Sequence, residues 1–242
     1  MSSVLSQQRA MITGAGSGIG KATALAFAGA GIDLALIGRN LEKLEATAMA
    51  ARDLGVTATA YGMDLAEIDR VEERIARVAD EFGPIDILVN NAGMGYTNPL
   101  ADTPLGDWRK VIDLNLTSPY LCARGVLPSM RARGRGMIIN VSSIAAETPF
   151  PGWGAYSVSK AGLVAFSRTL AVEERANGIR VTIITPGAVN TPIWDTDSVE
   201  ADFDRSAMLT PDIIAGAILQ AVSLPAGAVV ETMTITPSAG AL

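Results

Sequence analysis

The chain of 242 residues contains no histidine. That absence removes the Ser–His–Asp triad, the Cys–His nucleophile and zinc sites built on imidazole, because each needs a ring nitrogen that titrates or ligates near neutrality. Cysteine is almost missing as well: Cys122 stands alone, so no disulfide forms within the chain. A zinc-type alcohol dehydrogenase is thereby excluded, and a reducing, cytoplasmic setting is expected. Basic residues are outnumbered, giving a net charge of −6, which argues against a nucleic-acid partner because phosphate binding calls for a basic face. No apolar run approaches the roughly 18 residues that would span a bilayer, so no membrane association is expected. Met1–Ala10 lacks the apolar stretch of a signal peptide. Aromatic residues make up only 5% against a hydrophobic share of 49%, so the core must be built from Ala, Val, Ile and Leu. What remains for acid–base work is Tyr, Lys, Ser and the carboxylates.

Short aliphatic runs alternate with longer stretches of helical period. Arg9–Thr13, Ile32–Ile37, Val56–Tyr61, Ile85–Val89, Met137–Val141, Val181–Ile184 and Val229–Ile235 read as strands. Helices are expected over Ile19–Gly29, Leu41–Leu54, Glu67–Glu81, Trp108–Arg133, Trp153–Ala176 and Pro211–Val222. Strand–helix alternation on this scale means right-handed βαβ units and a parallel sheet with helices on both faces. No linker, repeat or low-complexity tract interrupts the pattern, so residues 1–242 are read as one α/β domain.

Between the first strand and first helix lies Thr13–Gly14–Ala15–Gly16–Ser17–Gly18–Ile19–Gly20. Gly14 permits a tight turn, Gly18 lets the backbone approach a pyrophosphate, and Gly20 allows helix and strand to pack closely. With Ser17 and Ile19 they open a helix whose free N–H groups favour phosphate. The second strand ends in Gly38–Arg39–Asn40, without the acidic residue that would bind a ribose 2′-hydroxyl; Asp33 stands at the strand's other end. The Arg39 guanidinium suits a 2′-phosphate instead, so NADP(H) is favoured over NAD(H).

Tyr156 and Lys160 are four residues apart and share one helix face. A phenol of pKa near ~10 is a poor proton carrier at neutrality, and a nearby cation lowers it. Ser143 follows the fifth strand, where parallel sheets present ligand-contacting groups.

These features together resemble the short-chain dehydrogenase/reductase family across essentially the whole chain. The match rests on Thr13–Gly20, Asp64, Asn90–Asn91–Ala92–Gly93, Asn115, Ser143, Tyr156, Lys160 and Pro186–Gly187 with Thr191. The resemblance implies a Rossmann-type doubly wound, seven-stranded parallel sheet of order 3-2-1-4-5-6-7. It also implies hydride transfer between a nicotinamide and a carbonyl or secondary alcohol. Tyr156 is then the acid/base, Ser143 holds the carbonyl oxygen, and Lys160 binds the nicotinamide ribose and lowers the tyrosine pKa. Asn115 holds a water on its backbone carbonyl. Cofactor contacts are implied for Arg39 and Asn40, for Asp64 and Leu65 at the adenine, and for Asn91, Ala92 and Gly93 at the ribose. Pro186, Gly187, Val189 and Thr191 position the nicotinamide amide. No metal is called for. Homo-tetramers or homo-dimers are implied, formed through the long helices and last strand, and the apolar tail after Thr236 fits a subunit contact.

The substrate is less legible. Met94, Tyr96, Ile144, Thr148, Pro149, Trp153, Val189, Ile193 and Trp194 are expected to face it, with Pro192–Thr210 as a lid carrying Asp195, Asp197, Glu200, Asp202 and Asp204. The chain also resembles 3-oxoacyl-(acyl-carrier-protein) reductases. However, Gly134 and Asn177 stand where those place basic docking residues, and the C-terminus lacks their glycine pair. A catalytically silent dinucleotide-binding regulator is a further reading, disfavoured by the intact set of Asn115, Ser143, Tyr156 and Lys160. Tyr156→Phe is expected to abolish turnover and leave NADPH binding intact, measured by reduced-nicotinamide absorbance and by titration; substantial residual activity would contradict the phenol's role.

Overall fold

Met11 and Ile12 are both fully buried, although neighbouring residues on a strand point to opposite faces. Such a strand needs cover on both sides, and the computed structural model, which describes residues 8–201, 204–238 and 240, supplies it. In chain order the elements are β1 (Arg9–Thr13), α1 (Gly18–Gly29), β2 (Asp33–Gly38), α2 (Leu41–Arg52), β3 (Ala58–Gly62) and α3 (Ile68–Phe82). There follow β4 (Ile87–Asn90), α4 (Leu105–Ile112), α5 (Ser118–Arg133), β5 (Gly136–Val141) and α6 (Gly154–Glu174). The remainder comprises β6 (Ile179–Pro186), α7 (Pro211–Val222) and β7 (Thr232–Ile235).

The strands form one parallel sheet of order β3-β2-β1-β4-β5-β6-β7, as expected. Alternate strand residues feed two separate cores. Ile12, Leu34, Leu36, Val89 and Ile139 meet Phe27 of α1 and Ile214 and Ile218 of α7. Met11, Ile37, Leu88 and Ile138 meet Ile75 of α3 and Val126 and Met130 of α5 on the other face. The chain direction reverses its order between β1 and β4, and the carboxyl ends of these two strands open a crevice at that point.

Most element ends shift by one to three residues from the sequence reading, β6 for instance running Ile179–Pro186 where Val181–Ile184 was expected, and one helix is divided. The single helix expected over Trp108–Arg133 is three pieces: α4 begins earlier, at Leu105, and a π-helical turn over Asp113–Thr117 separates it from α5. In that turn the Ser118 N–H bonds Asp113 O, five residues back, and Pro119 has no N–H to offer the carbonyl of Asn115. The seventh strand is Thr232–Ile235, and of the expected lead-in Val229–Glu231 only the Glu231 carbonyl is bonded to β6, accepting from Ile183 N at 3.0 Å. The third begins at Ala58 instead of Val56. Met1–Gln7, Asp202, Phe203, Ala239, Ala241 and Leu242 lie outside the described residues, so the readings of the leader and of part of the lid and tail fall there.

The ends of α5 and α6 meet backbone to backbone. Gly178 has φ +71°, and a Cβ there would lie 2.2 Å from the Gly134 carbonyl oxygen. Nearby, the buried Glu174 carboxylate is held by Arg131 through two hydrogen bonds and by Asn177 Nδ2 at 2.9 Å. These bonds hold its pKa below the usual range. Gly178→Ala is expected to cost at least about 2 kcal/mol through backbone strain and the clash. That corresponds to a fall of roughly 4–8 °C in the unfolding midpoint, and an unchanged midpoint would show that α5 and α6 can separate here.

Candidate active site

The crevice is a cavity of about 520 Å³ running across the carboxyl ends of β1, β2, β4, β5 and β6. At one side lies the glycine-rich turn. Gly14 and Gly18 adopt φ of 68° and 52°. A Cβ on Gly20 would come within 2.3 Å of the Gly14 carbonyl oxygen, so the first turn of α1 can lie on the loop only without a side chain there. Ser17, the N-cap of α1, makes no side-chain cap bond, and no acidic residue stands in the first turn. The helix therefore presents free N–H groups and its positive end to the cavity.

The Thr13 hydroxyl fastens this loop to the strand beside it. It donates to Val89 O at 3.3 Å and accepts from the N–H groups of Asn91 and Ala92, both at 3.0 Å. Asn91 Nδ2 donates back to Thr13 O at 2.9 Å. Asn91 is thus first a tie between β1 and β4, and it lines the cavity besides.

Arg39 is exposed and lines the cavity, and among the described residues it has no ion-pair partner. Asn40 caps α2: its Oδ1 accepts from Lys43 N at 2.9 Å. Lys43 itself also lines the cavity, again with no ion pair among the described residues. The sequence reading missed it, although its position four residues after Arg39 on an exposed first turn was a usable signal. Asp64 and Leu65 lie on the same side of the cavity wall, with Asp64 Oδ1 accepting from Ala66 N at 3.0 Å. The free helix terminus, the close glycine cradle and the two unpaired cations fit a phosphorylated dinucleotide.

At the other side stand Ser143, Tyr156 and Lys160. Ser143 lies two residues past the end of β5, and its Oγ accepts from Ala145 N at 3.2 Å while hydrogen-bonding Tyr156. Burial raises the phenol pKa above its ordinary value, and the Ser143 bond offsets only part of that. Lys160 is 5% exposed; its Nζ donates to Val141 O at 3.0 Å and lies 5.8 Å from the Tyr156 ring centroid. Burial brings its pKa down to about 8. The expected lowering of the tyrosine pKa by Lys160 concerns the site with its dinucleotide. In the chain alone the ammonium is turned to a strand carbonyl and the phenol is shifted upward.

Asn115 is buried in the π-helical turn, behind the cavity wall. Its Oδ1 accepts from Met94 N at 2.8 Å and its Nδ2 donates to Met94 O at 2.9 Å and Ser159 Oγ at 3.1 Å. Ser159 in turn donates to Tyr156 O at 2.6 Å. A Cβ on Gly93 would stand 3.1 Å from Asn115 Oδ1 and 3.6 Å from Lys160 Nζ, so Gly93 keeps this corner open. Pro186, Gly187, Val189 and Thr191 line the floor after β6.

Of the residues expected to face substrate, Met94, Ile144, Trp153, Val189, Ile193 and Trp194 line the cavity, and Phe150 joins them unforeseen. Tyr96, Thr148 and Pro149 do not. Tyr96 is buried against Val111 and Ala155, with its hydroxyl 3.3 Å from Asp107 Oδ2, because that phenol finds an acceptor on α4. Cys122 is buried and its pKa is pushed up to about 12, so it is an unreactive thiol. Among the described residues no helix is long and apolar enough to cross a membrane.

The short chain dehydrogenase family profile matches residues 8–201. A 3-oxoacyl-(acyl-carrier-protein) reductase of Synechocystis sp. is 35% identical over 241 residues, covering 98% of this chain and 97% of that protein. Among solved structures, a metagenomic short-chain oxidoreductase in complex with NADP is 32% identical with a TM-score of 0.85, covering 97% of this chain and 98% of the other. An alcohol dehydrogenase from the archaeon Thermococcus sibiricus, complexed with 5-hydroxy-NADP, is 30% identical with a TM-score of 0.87, over 96% and 97%.

A buried ammonium is a cost to the fold. Below about pH 8 Lys160 is charged in folded and unfolded states alike, and the burial penalty is present in full. Between there and the ordinary lysine value of 10.5 the unfolded chain binds more protons, so stability from this group rises with pH. Lys160→Met is expected to stabilise the neutral-pH protein by about 2 kcal/mol, or roughly 5 °C in the unfolding midpoint. The gain should shrink as pH passes 8. A midpoint lowered at neutral pH would mean that the Val141 bond outweighs burial.

Proposed function

This chain belongs to the short-chain dehydrogenase family of oxidoreductases, whose fold binds a nicotinamide dinucleotide, and we propose that it is an NADP(H)-dependent carbonyl reductase with Tyr156 as its proton donor. The observation that carries this reading is the Ser143–Tyr156–Lys160 group, facing the glycine cradle across one cavity in a chain without histidine. The bound dinucleotide supplies the hydride. Ser143 and Tyr156 hydrogen-bond the substrate oxygen and stabilise the charge that develops there. A raised phenol pKa keeps Tyr156 protonated at neutral pH, as a donor in the reducing direction requires. Lys160, charged below about pH 8, holds the nicotinamide ribose hydroxyls, and its proton path passes by the carbonyl of Asn115, which Pro119 leaves without an α-helical donor. Gly93 and Met94 form the wall over that path.

NADP is favoured because no carboxylate stands directly at the carboxyl end of β2, where Gly38, Arg39 and Asn40 follow one another, and because Arg39 and Lys43 offer two cations to a 2′-phosphate. Solved relatives with bound NADP-type cofactors support the same choice. The second reading, reduction of an acyl chain on an acidic carrier protein, is favoured by the Synechocystis relative. Of the basic residues beside Gly134 and Asn177, Arg131 pairs with Glu174 and both Arg133 and Arg135 pair with Asp86, which leaves Arg175 as the exposed cation there with no ion pair among the described residues. Self-association as a dimer or tetramer through α5 and α6 belongs to the proposal, as does a cytoplasmic setting. Exposed Tyr120 and Val172 on those helices support the former, and the lone buried Cys122 the latter.

NADPH should bind at least about tenfold more tightly than NADH, and Arg39→Ala should remove most of that difference with little effect on NADH. Dissociation constants from titration of the reduced-nicotinamide fluorescence measure both. Equal affinities in the wild type would remove the role given to Arg39.

A further inference from the structure

We propose that the substrate is an uncharged carbonyl compound with a flat, unsaturated ring directly beside the carbonyl, and that Trp153 and Trp194 select it. This rests on the carbonyl reductase reading and specifies its substrate. The cavity is divided by chemistry. Its charged lining residues are Arg39, Lys43 and Asp64 on the cradle side, together with Lys160, whose ammonium is held by Val141 O. Past Tyr156 the lining is Met94, Ile144, Phe150, Trp153, Ile193 and Trp194 with the hydroxyl-bearing Thr196, and no cationic side chain stands among them. An anionic substituent there would be buried without a counter-charge, which is costly. At the rim, Asp195 is already satisfied by Arg205.

Three aromatic rings run in sequence outward from the reacting phenol. Trp153 packs edge-to-face with Tyr156, centroids 5.3 Å apart at 72°, and edge-to-face with Trp194, 5.7 Å apart at 66°. A carbonyl oxygen held by Ser143 and Tyr156 therefore places its nearest substituent beside the Trp153 indole. A ring in that place continues the edge-to-face series, each such pair contributing about 0.5–1.5 kcal/mol beyond burial. A short alkyl group gains burial alone.

The indoles are fixed before any substrate arrives. Trp194 Nε1 donates to Val189 O at 2.8 Å. Trp153 is held through a backbone bridge to Asn98, where Asn98 N donates to Gly152 O at 2.7 Å. The segment carrying Trp194 is stitched to the loop after β4. Ser198 Oγ donates to Gly95 O at 2.9 Å, Thr97 N to Ser198 O at 2.9 Å, and Glu200 N to Thr97 Oγ1 at 2.7 Å. At its base Arg205 Nε donates to Asn190 Oδ1 at 2.9 Å. A wall fixed in this way favours a rigid, flat group, because neither side loses much conformational freedom on contact.

The test is steady-state reduction with NADPH of three carbonyl compounds by the purified full chain: 1-phenyl-1,2-propanedione, 2,3-butanedione and the anion phenylglyoxylate. The phenyl diketone is expected to exceed butanedione at least about tenfold in kcat/KM, and phenylglyoxylate about a hundredfold, consistent with two ring contacts and an unpaired buried charge. Trp194→Ala should collapse the ratio between the two diketones to below about threefold, chiefly through KM for the phenyl compound, and Trp194→Phe should restore most of it. Equal kcat/KM for the two diketones in the wild type, or a ratio unmoved by Trp194→Ala, overturns this inference and leaves the carbonyl reductase reading standing. Absence of NADPH oxidation with all three overturns both.

Discussion

The site is organised around an ammonium group kept out of water. Lys160 is buried at the centre of the molecule with one neutral acceptor, the last carbonyl of β5. No carboxylate pairs with it among the described residues. An uncompensated charge in such a place is among the most expensive features a fold can carry, and it normally loses its proton or finds a partner. Here the surrounding chain adapts. Ser142 Oγ donates to the Lys160 carbonyl at 3.3 Å, joining α6 to the end of β5. Gly93 withholds a side chain from the space beside Nζ, and Asn115 occupies the far side with its amide fully engaged. A structural lysine would have been replaced by an apolar residue at no loss of stability, so the arrangement is better understood as serving the chemistry assigned to it.

Burial shifts the two key groups in opposite directions. It favours the neutral form of each, lifting the phenol of Tyr156 and lowering the ammonium of Lys160. The two groups, nearly matched as free side chains, are thereby driven apart, and Lys160 gives up its proton at a lower pH than Tyr156 does. Histidine titrates near neutrality with its ordinary pKa, and in this chain without it burial brings Lys160 toward that range instead. The dependence of the proposed chemistry on the fold is direct: opening the pocket to water would return both groups toward their solution values.

Elements with strong periodicity were legible in the sequence. Strand sites such as Met11–Ile12 and Leu34–Ile37 are aliphatic on both faces, which only a doubly covered parallel sheet explains. The glycine cradle and the Tyr156–Lys160 spacing were equally plain, since backbone proximity and i, i+4 geometry follow from residue type and number. What escaped depended on three-dimensional partners. The π-turn before α5 adds one residue to a helix whose composition reads as continuous, and only Pro119 hinted at it. Tyr96 looked like a pocket residue because an amphipathic ring suits either place, and Asp107 on another element decided its direction. The upward shift of Tyr156 in the chain alone was also hidden, because it comes from burial, only partly offset by the Ser143 bond, rather than from spacing.

The scarcity of aromatic residues gives the last connection. The chain holds three Trp, four Tyr and five Phe. The two sheet-facing cores are mainly aliphatic, and among the described residues Phe27 is the one aromatic side chain fully buried in them. Aliphatic side chains suffice there, because stacked strands and helices offer long, even surfaces. The irregular loops after β4, β5 and β6 have no such surface, and rings are what give them rigidity: Trp108 packs with Tyr96 under one loop, while Trp153 and Trp194 join the other two. The rings that stiffen these loops therefore also form the wall beside Tyr156. On the proposed function, loop stability and substrate choice share the same side chains, so a change that enlarges the pocket must also loosen the segments that enclose it.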